Sequence, residues 1–249
     1  MFPFRLILVL SSVVSRFALW CAVFLSFPCL RMKMFVQSVK QLHGYWKKLV
    51  NFAFVKKQTS LSWQDKQQKP ISNIKMKEIR NMTFGGERPL FEHHDVLLDN
   101  VTITTGESAI KECSDIQAVR CRFEGNYPFW HVDRFSIADC YFAVGARSAL
   151  WYSSHLKMTD TVIDAPKMFR EMDDLTLCNV TVNDADETFW RCSGLRLENV
   201  TLHDGTYPFM FSRDIRVDGL VSDSKYVFQY VRDVEIHNAR ITTKDAFWE

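Results

Sequence analysis

Lys111, Trp130, Trp151, Arg170 and Trp190 recur at intervals of 19 to 21 residues, and each is followed directly by Glu112, His131, Tyr152, Glu171 or Arg191. Aromatic faces stack on pyranose rings, while carboxylates, imidazoles and cations act on a glycosidic linkage. The chemistry to expect is carbohydrate binding or polysaccharide processing. In that reading Trp130, Trp151 and Trp190 are stacking platforms, with Arg191 beside them at the binding surface. Lys111 and Arg170 stabilise charge, and Glu112, Glu171 or His131 acts as general acid or base. The same composition also serves coil stacking, because aromatic contacts and cation–π pairs contribute about 0.5 to 1.5 kcal/mol each. A non-catalytic structural or interaction scaffold therefore stands as the alternative.

Such a file needs a backbone that returns to the same place every 20 residues or so. A register is visible in the aliphatic or aromatic residue that follows a short polar corner: Val96, Ile116, Phe135, Leu156, Leu175, Leu195, Ile215 and Val234. With that residue as position zero, plus two is again apolar in every repeat, from Leu98 to Ile236, the alternation of a short strand with one buried face. Plus four is Asn or Asp except at Arg120 and Gly219, and apolar or small residues resume at plus five and plus seven. A change of inward parity at Asn or Asp marks a corner, since these residues tolerate the left-handed conformation. A further apolar position lies at minus six: Leu90, Ile110, Phe129, Leu150, Phe169, Phe189, Phe209 and Phe228.

Three strands per turn imply a prism with the minus-six column inside and the minus-five file outside. A leucine-rich repeat places its asparagine three residues after the second leucine and needs a helical return limb, whereas here the spacing is φ-x-φ-x-N with no limb periodic enough for a helix. The expected fold is all-β, a parallel β-helix of about eight coils of about 20 residues between Glu87 and Ile241.

The segments GGERPLF, GESAIKEC, YPFWHVDRF, ARSALWYSS, APKMFREMDDL, ETFWRCSGLRLENVTL and KDAFW resemble the bacterial domain-of-unknown-function 3737 family, from about Met76 to Glu249. The resemblance implies a right-handed, pectin-lyase-like β-helix and no assigned reaction.

Charge divides the chain. Residues 1–75 hold 12 Lys/Arg and one acid, whereas residues 76–249 hold 19 against 28, a net of −9 that argues against nucleic acid as a partner. The apolar, then basic, leader has three open readings. As a secretory signal its apolar run is split by Arg16 and lacks a small-residue cleavage site. As a membrane anchor within residues 1–30, Phe17 to Leu30 falls short of the ~20 residues that span a bilayer. The third reading makes Met76 the start and the preceding codons flanking sequence. In the membrane case the cations after the apolar run hold the β-helix in the cytoplasm, so a cytoplasmic location is expected on either origin. At the other end Phe247 supplies the minus-six position of a ninth coil just before the last residue, as in a truncated product.

Five cysteines, Cys113, Cys121, Cys140, Cys178 and Cys192, fall within the coils without a C-x-x-C pair, which suits a reducing compartment and no zinc. Cys121 and Cys140 share one register on adjacent coils and read as small buried thiols. His93 and His94 read as a solvated turn, and Asp184, Asp186 and Glu187 as a hydrated corner. There is no G-x-G-x-x-G, phosphate loop or serine-nucleophile motif, so no cofactor is expected. Oligomeric state is left open.

Overall fold

The computed structural model describes residues 75–248, and what was expected of residues 1–74 lies outside the described residues. Parallel strands stack coil on coil along the whole described chain. One ladder runs through Lys77–Arg80, His94–Asp99, Ser114–Val119 and Asp133–Ala138 and then through the first halves of four 10-residue strands, Ser154–Ile163, Asp173–Val182, Ser193–Leu202 and Arg213–Ser222. It ends at Arg232–His237, and every pairing is parallel and in register, as in Leu156↔Leu175 and Leu175↔Leu195. A second ladder joins Thr83–Glu87, Thr102–Glu107, Arg122–Phe123 and Tyr141–Phe142 to the second halves of those long strands and to Arg240–Ile241. The fold is an all-β parallel solenoid of about eight turns, with one 3₁₀ turn at Val144–Ala146.

The corner expected at plus four is present in every repeat. Asn100, Asp139, Asp160, Asn179, Asn199 and Asn238 all have φ between 49° and 56°, and the two exceptions by residue type, Arg120 and Gly219, bend in the same way at 54° and 85°. Stacked amides close the corner: Asn199 Nδ2 donates to Asn179 Oδ1 at 3.3 Å, and Asn179 Nδ2 donates to Asp160 Oδ1 at 3.0 Å.

Left-handed backbone also recurs at minus eight, minus four and minus one in each repeat, for example Glu187, Arg191 and Gly194. Left-handed backbone therefore stands at four stations of every full repeat, and from Leu150 onward at a fifth, minus six, where three corners were expected. Because these bends crowd the return limb, its ladders shrink to two-residue strands, Ile110–Lys111 with Phe129–Trp130, and to single bridges such as Glu107↔Asn126 and Thr206↔Lys225. Two residues before the minus-eight bend runs a column of small residues at minus ten: Gly86, Gly106, Gly125, Ala146, Ala165, Ala185, Gly205 and Ser224. A Cβ on Gly106 would lie 2.0 Å from the Gly86 carbonyl oxygen, so the coils approach there closely enough to require its absence.

Stacking begins one coil earlier than the aliphatic register indicates. Lys77 stands at position zero opposite Val96, Ile79 and Phe84 supply the apolar positions, and Asn81 makes the left-handed corner at φ 53°. Its side-chain oxygen accepts from Asn100 Nδ2 at 2.8 Å. The core is continuous, and the phenylalanines at minus six, Phe129, Phe169, Phe189, Phe209 and Phe228, are wholly buried. From Phe169 onward their rings stack with centroids 4.4 to 5.1 Å apart and planes within 16°.

Candidate functional site

The minus-five file is held by the two neighbours that flank it in sequence. The residue before it points into the core, and the residue after it is the left-handed corner at minus four. The corner amide is tied to the next coil: Glu112 N–H donates to the Trp130 carbonyl at 3.0 Å, His131 to Trp151 at 3.1 Å and Glu171 to Trp190 at 2.8 Å. Lys111, Trp130, Trp151, Arg170 and Trp190 thus form one outward, half-buried column, beside an exposed column of Glu112, His131, Tyr152, Glu171 and Arg191.

Within the inner of these two columns the groups engage one another. Trp130 and Trp151 lie 5.5 Å apart, and the Arg170 guanidinium sits between two indoles, 4.9 Å from Trp151 and 5.4 Å from Trp190. The Trp151 indole N–H donates to the Lys167 carbonyl at 2.8 Å. Glu187, at the minus-eight bend, faces Lys167 at 3.1 Å and Arg170 at 3.6 Å and so anchors the cation. Tyr127, also at a minus-eight bend, meets Trp130 edge-on at 5.1 Å.

The exposed column pairs off by coil. His131 faces Glu112 at 3.7 Å, Arg191 faces Glu171 at 3.9 Å, and Phe211 stacks on Tyr230 at 5.0 Å. Glu112 and Glu171, the two candidate acids, are three coils apart, about 14 Å at the strand spacing of ~4.8 Å. Glycosidase carboxylate pairs stand roughly 5 to 9.5 Å apart. Of the sequence-level candidates the structure brings together Trp130 with Trp151, Arg170 with Trp151 and Trp190, His131 with Glu112, and Arg191 with Glu171. It does not bring the two glutamates together.

In the sequence Glu187 reads only as part of a hydrated corner, and Lys167 and Tyr127 are not among the candidates, although each stands three residues before a member of the minus-five file. That fixed offset is the signal that could have found them. Two concavities among the described residues lie away from the file. One is an open depression of about 570 Å³ lined by Gly86, Glu87, Gly106, Glu107 and Asn126, and the other is a gap inside the apolar core near Leu90 and Ile110.

The remaining polar candidates are engaged locally. His93 Nδ1 lies 3.1 Å from the Phe91 carbonyl, and His94 Nδ1 lies 2.8 Å from Ser114 Oγ. The Asp186 amide donates to Asp184 Oδ1 at 3.3 Å, and burial, then Glu187, raises the Asp186 carboxyl above its ordinary value. Among the described residues no group of three or more His, Cys, Asp or Glu side chains is arranged to hold a metal, and no helix is long and apolar enough to cross a membrane.

The five described cysteines are free thiols. Four of them follow a corner directly and fill its inner side. Cys113 and Cys192 at minus three donate to carbonyls of the previous coil at 3.1 Å, and Cys121 at plus five donates to Leu98 at 3.4 Å. Ser153, Thr161 and Ser212 occupy the same two stations and accept the amides of Val132, Cys140 and Cys192 from the coil before. The thiols therefore act as small corner plugs. Burial pushes the Cys113 thiol up to about 11 and that of Cys192 up to about 12.

A family model described as a protein of unknown function, DUF3737, matches residues 77–249. No curated protein matches the chain. Among solved structures, QnrB1, a plasmid-mediated fluoroquinolone resistance protein, is similar at 10% identity over 66% of this chain and 91% of its own, with a TM-score of 0.20.

Proposed function

Because the chain belongs, over residues 77–249, to the DUF3737 family of proteins of unknown function, we propose that it is a non-catalytic solenoid scaffold. In this reading the outer aromatic and cation file holds neighbouring coils in register. The observation that carries it is the Arg170 guanidinium between Trp151 and Trp190, which takes up ring surface that a sugar would need. The Trp151 N–H, which could have served a ligand hydroxyl, is spent on the Lys167 carbonyl. The wide separation of Glu112 and Glu171 supports the same conclusion, since these two acids stand too far apart to act as a glycosidase carboxylate pair.

Carbohydrate binding is the second reading, and it draws on a different observation. Tyr152, Phe211 and Tyr230 at the minus-four bends each leave about 40% of their surface exposed, an aromatic edge along one corner of the solenoid. A glycan array probed with the full chain and with Trp151→Ala separates the readings. A lower melting temperature for the variant, with neither protein binding a glycan, is the scaffold outcome. Retained melting temperature with loss of a glycan signal overturns it in favour of carbohydrate.

A further inference from the structure

Cys121 and Cys140 are the only cysteines among the described residues that share a station on adjacent coils. Both stand at plus five, directly after the exposed corners Arg120 and Asp139. Their successors Arg122 and Tyr141 are in-register partners on parallel strands, and the Tyr141 amide donates to the Cys121 carbonyl at 3.0 Å. The two Cα atoms are therefore about 5 Å apart by strand spacing, within the ~4.4 to 6.8 Å that a disulfide bridges. Cys140 Sγ already reaches toward its neighbour, 3.2 Å from the Cys121 backbone nitrogen. The other described cysteines have no such partner: Cys178 has Thr159 and Glu198 beside it in register.

We propose that Cys121 and Cys140 form an oxidation site at which hydrogen peroxide links two adjacent coils by a disulfide. The Cys121 thiolate attacks one peroxide oxygen and breaks the O–O bond, giving Cys121 sulfenic acid and hydroxide, which takes up a proton to become water. The Cys140 sulfur, its proton given up to water, then attacks the sulfenic sulfur and expels the hydroxyl, which leaves as a second water. Two thiols are oxidised by two electrons and one peroxide is reduced to two waters. The Cys140 side chain beside it holds Cys121 below the usual thiol range, whereas the neighbouring Cys121 sulfur, then burial, pushes Cys140 up. This assigns Cys121 as the attacking group. Both residues are buried just behind exposed corner residues, 2% and 5% exposed, so the oxidant that reaches them has to be as small as hydrogen peroxide. The link would close a loop of about 20 residues and constrain the unfolded chain. It is independent of whether the outer file binds a ligand.

The test is to treat the reduced full-length protein with hydrogen peroxide, block remaining thiols under denaturing conditions, and map peptides without reduction. The expected product is lighter by two hydrogen atoms, carries one Cys121–Cys140 link and melts at a higher temperature. The link should persist in Cys178→Ser and vanish in Cys121→Ser, whose melting temperature should not rise on oxidation. Recovery of both thiols free, conversion of Cys121 to its sulfinic acid without a link, or pairing of either with another of the seven cysteines would overturn the proposal.

Discussion

Two files run side by side along the solenoid, one residue apart in sequence, and they solve the same stacking problem differently. The inner file at minus six becomes uniform, Phe169, Phe189, Phe209, Phe228 and Phe247, with near-parallel rings. The outer file at minus five alternates, with a cation between Trp151 and Trp190 and tilted indoles at Trp130 and Trp151. Phe169, Phe189, Phe209 and Phe228 are wholly buried, and burial favours apolar rings there, each worth about 1.5 to 3 kcal/mol. Outside, ring faces at the coil spacing must be shielded from solvent one by one, and a guanidinium over an indole does so while its charge stays hydrated. The inner file is dear enough to hold Phe169, Phe189, Phe209 and Phe228 at φ of 57° to 68°, a conformation bulky residues rarely adopt. Stability should therefore reside in the inner column and register in the outer one.

The sharpest way to break this contrast is Phe189→Ala, which removes a wholly buried ring from contact with Phe169 and Phe209. Chemical denaturation should show a loss of about 3 to 5 kcal/mol. A loss no larger than that of an outer-file variant would erase the distinction. Next, Trp151→Ala should cost about 1 to 2 kcal/mol by the same measurement, from one aromatic pair and one cation–π contact.

A smaller effect is expected from Arg170→Met, about 0.5 to 1 kcal/mol. The charge-dependent share of that loss should shrink in high salt, because Glu187 then loses a screened partner rather than a bare one. An equal loss at all salt concentrations would mean that Arg170 acts only through its alkyl chain. Acid titration should produce the mildest change and should spare the inner file. A hydrogen bond from a group on a neighbouring coil holds three carboxyls below their ordinary range: Asp115 through Arg134, Asp164 through Tyr141 and Asp223 through His203. Their contribution is complete above the unfolded carboxylate range near pH ~4 and is lost as pH falls through the lowered folded values. Melting temperature should therefore decline below about pH 4 in the native chain and less steeply in Asp223→Asn.

Much of the architecture is legible in the chain itself, because a solenoid writes each packing constraint once per turn. Position zero with plus two, the plus-four bend and the minus-six column all recur often enough to be read from residue type alone. The first coil was missed because Lys77 occupies its marker position, although Ile79, Asn81 and Phe84 keep the pattern. The bend at minus eight is illegible for the opposite reason: its side chains, from Arg88 and Ser108 to Tyr207, share no chemistry, so a common backbone conformation leaves no common letter. The bend at minus one does leave one, because Asp95, Asp115, Asp174, Asp214 and Asp233 repeat the turn-forming residue type that marks plus four.

What the sequence determined by itself is which residues share a column and which columns face inward, since both follow from spacing and apolar period. Only the tertiary structure decided what the outward columns meet. Residue spacing places Trp151, Arg170 and Trp190 on successive coils, yet it does not say whether their faces look to solvent or to each other. That choice is made by side-chain rotation within a strand spacing of about 4.8 Å, where a guanidinium, anchored by Glu187 from another bend, comes to rest between two indoles.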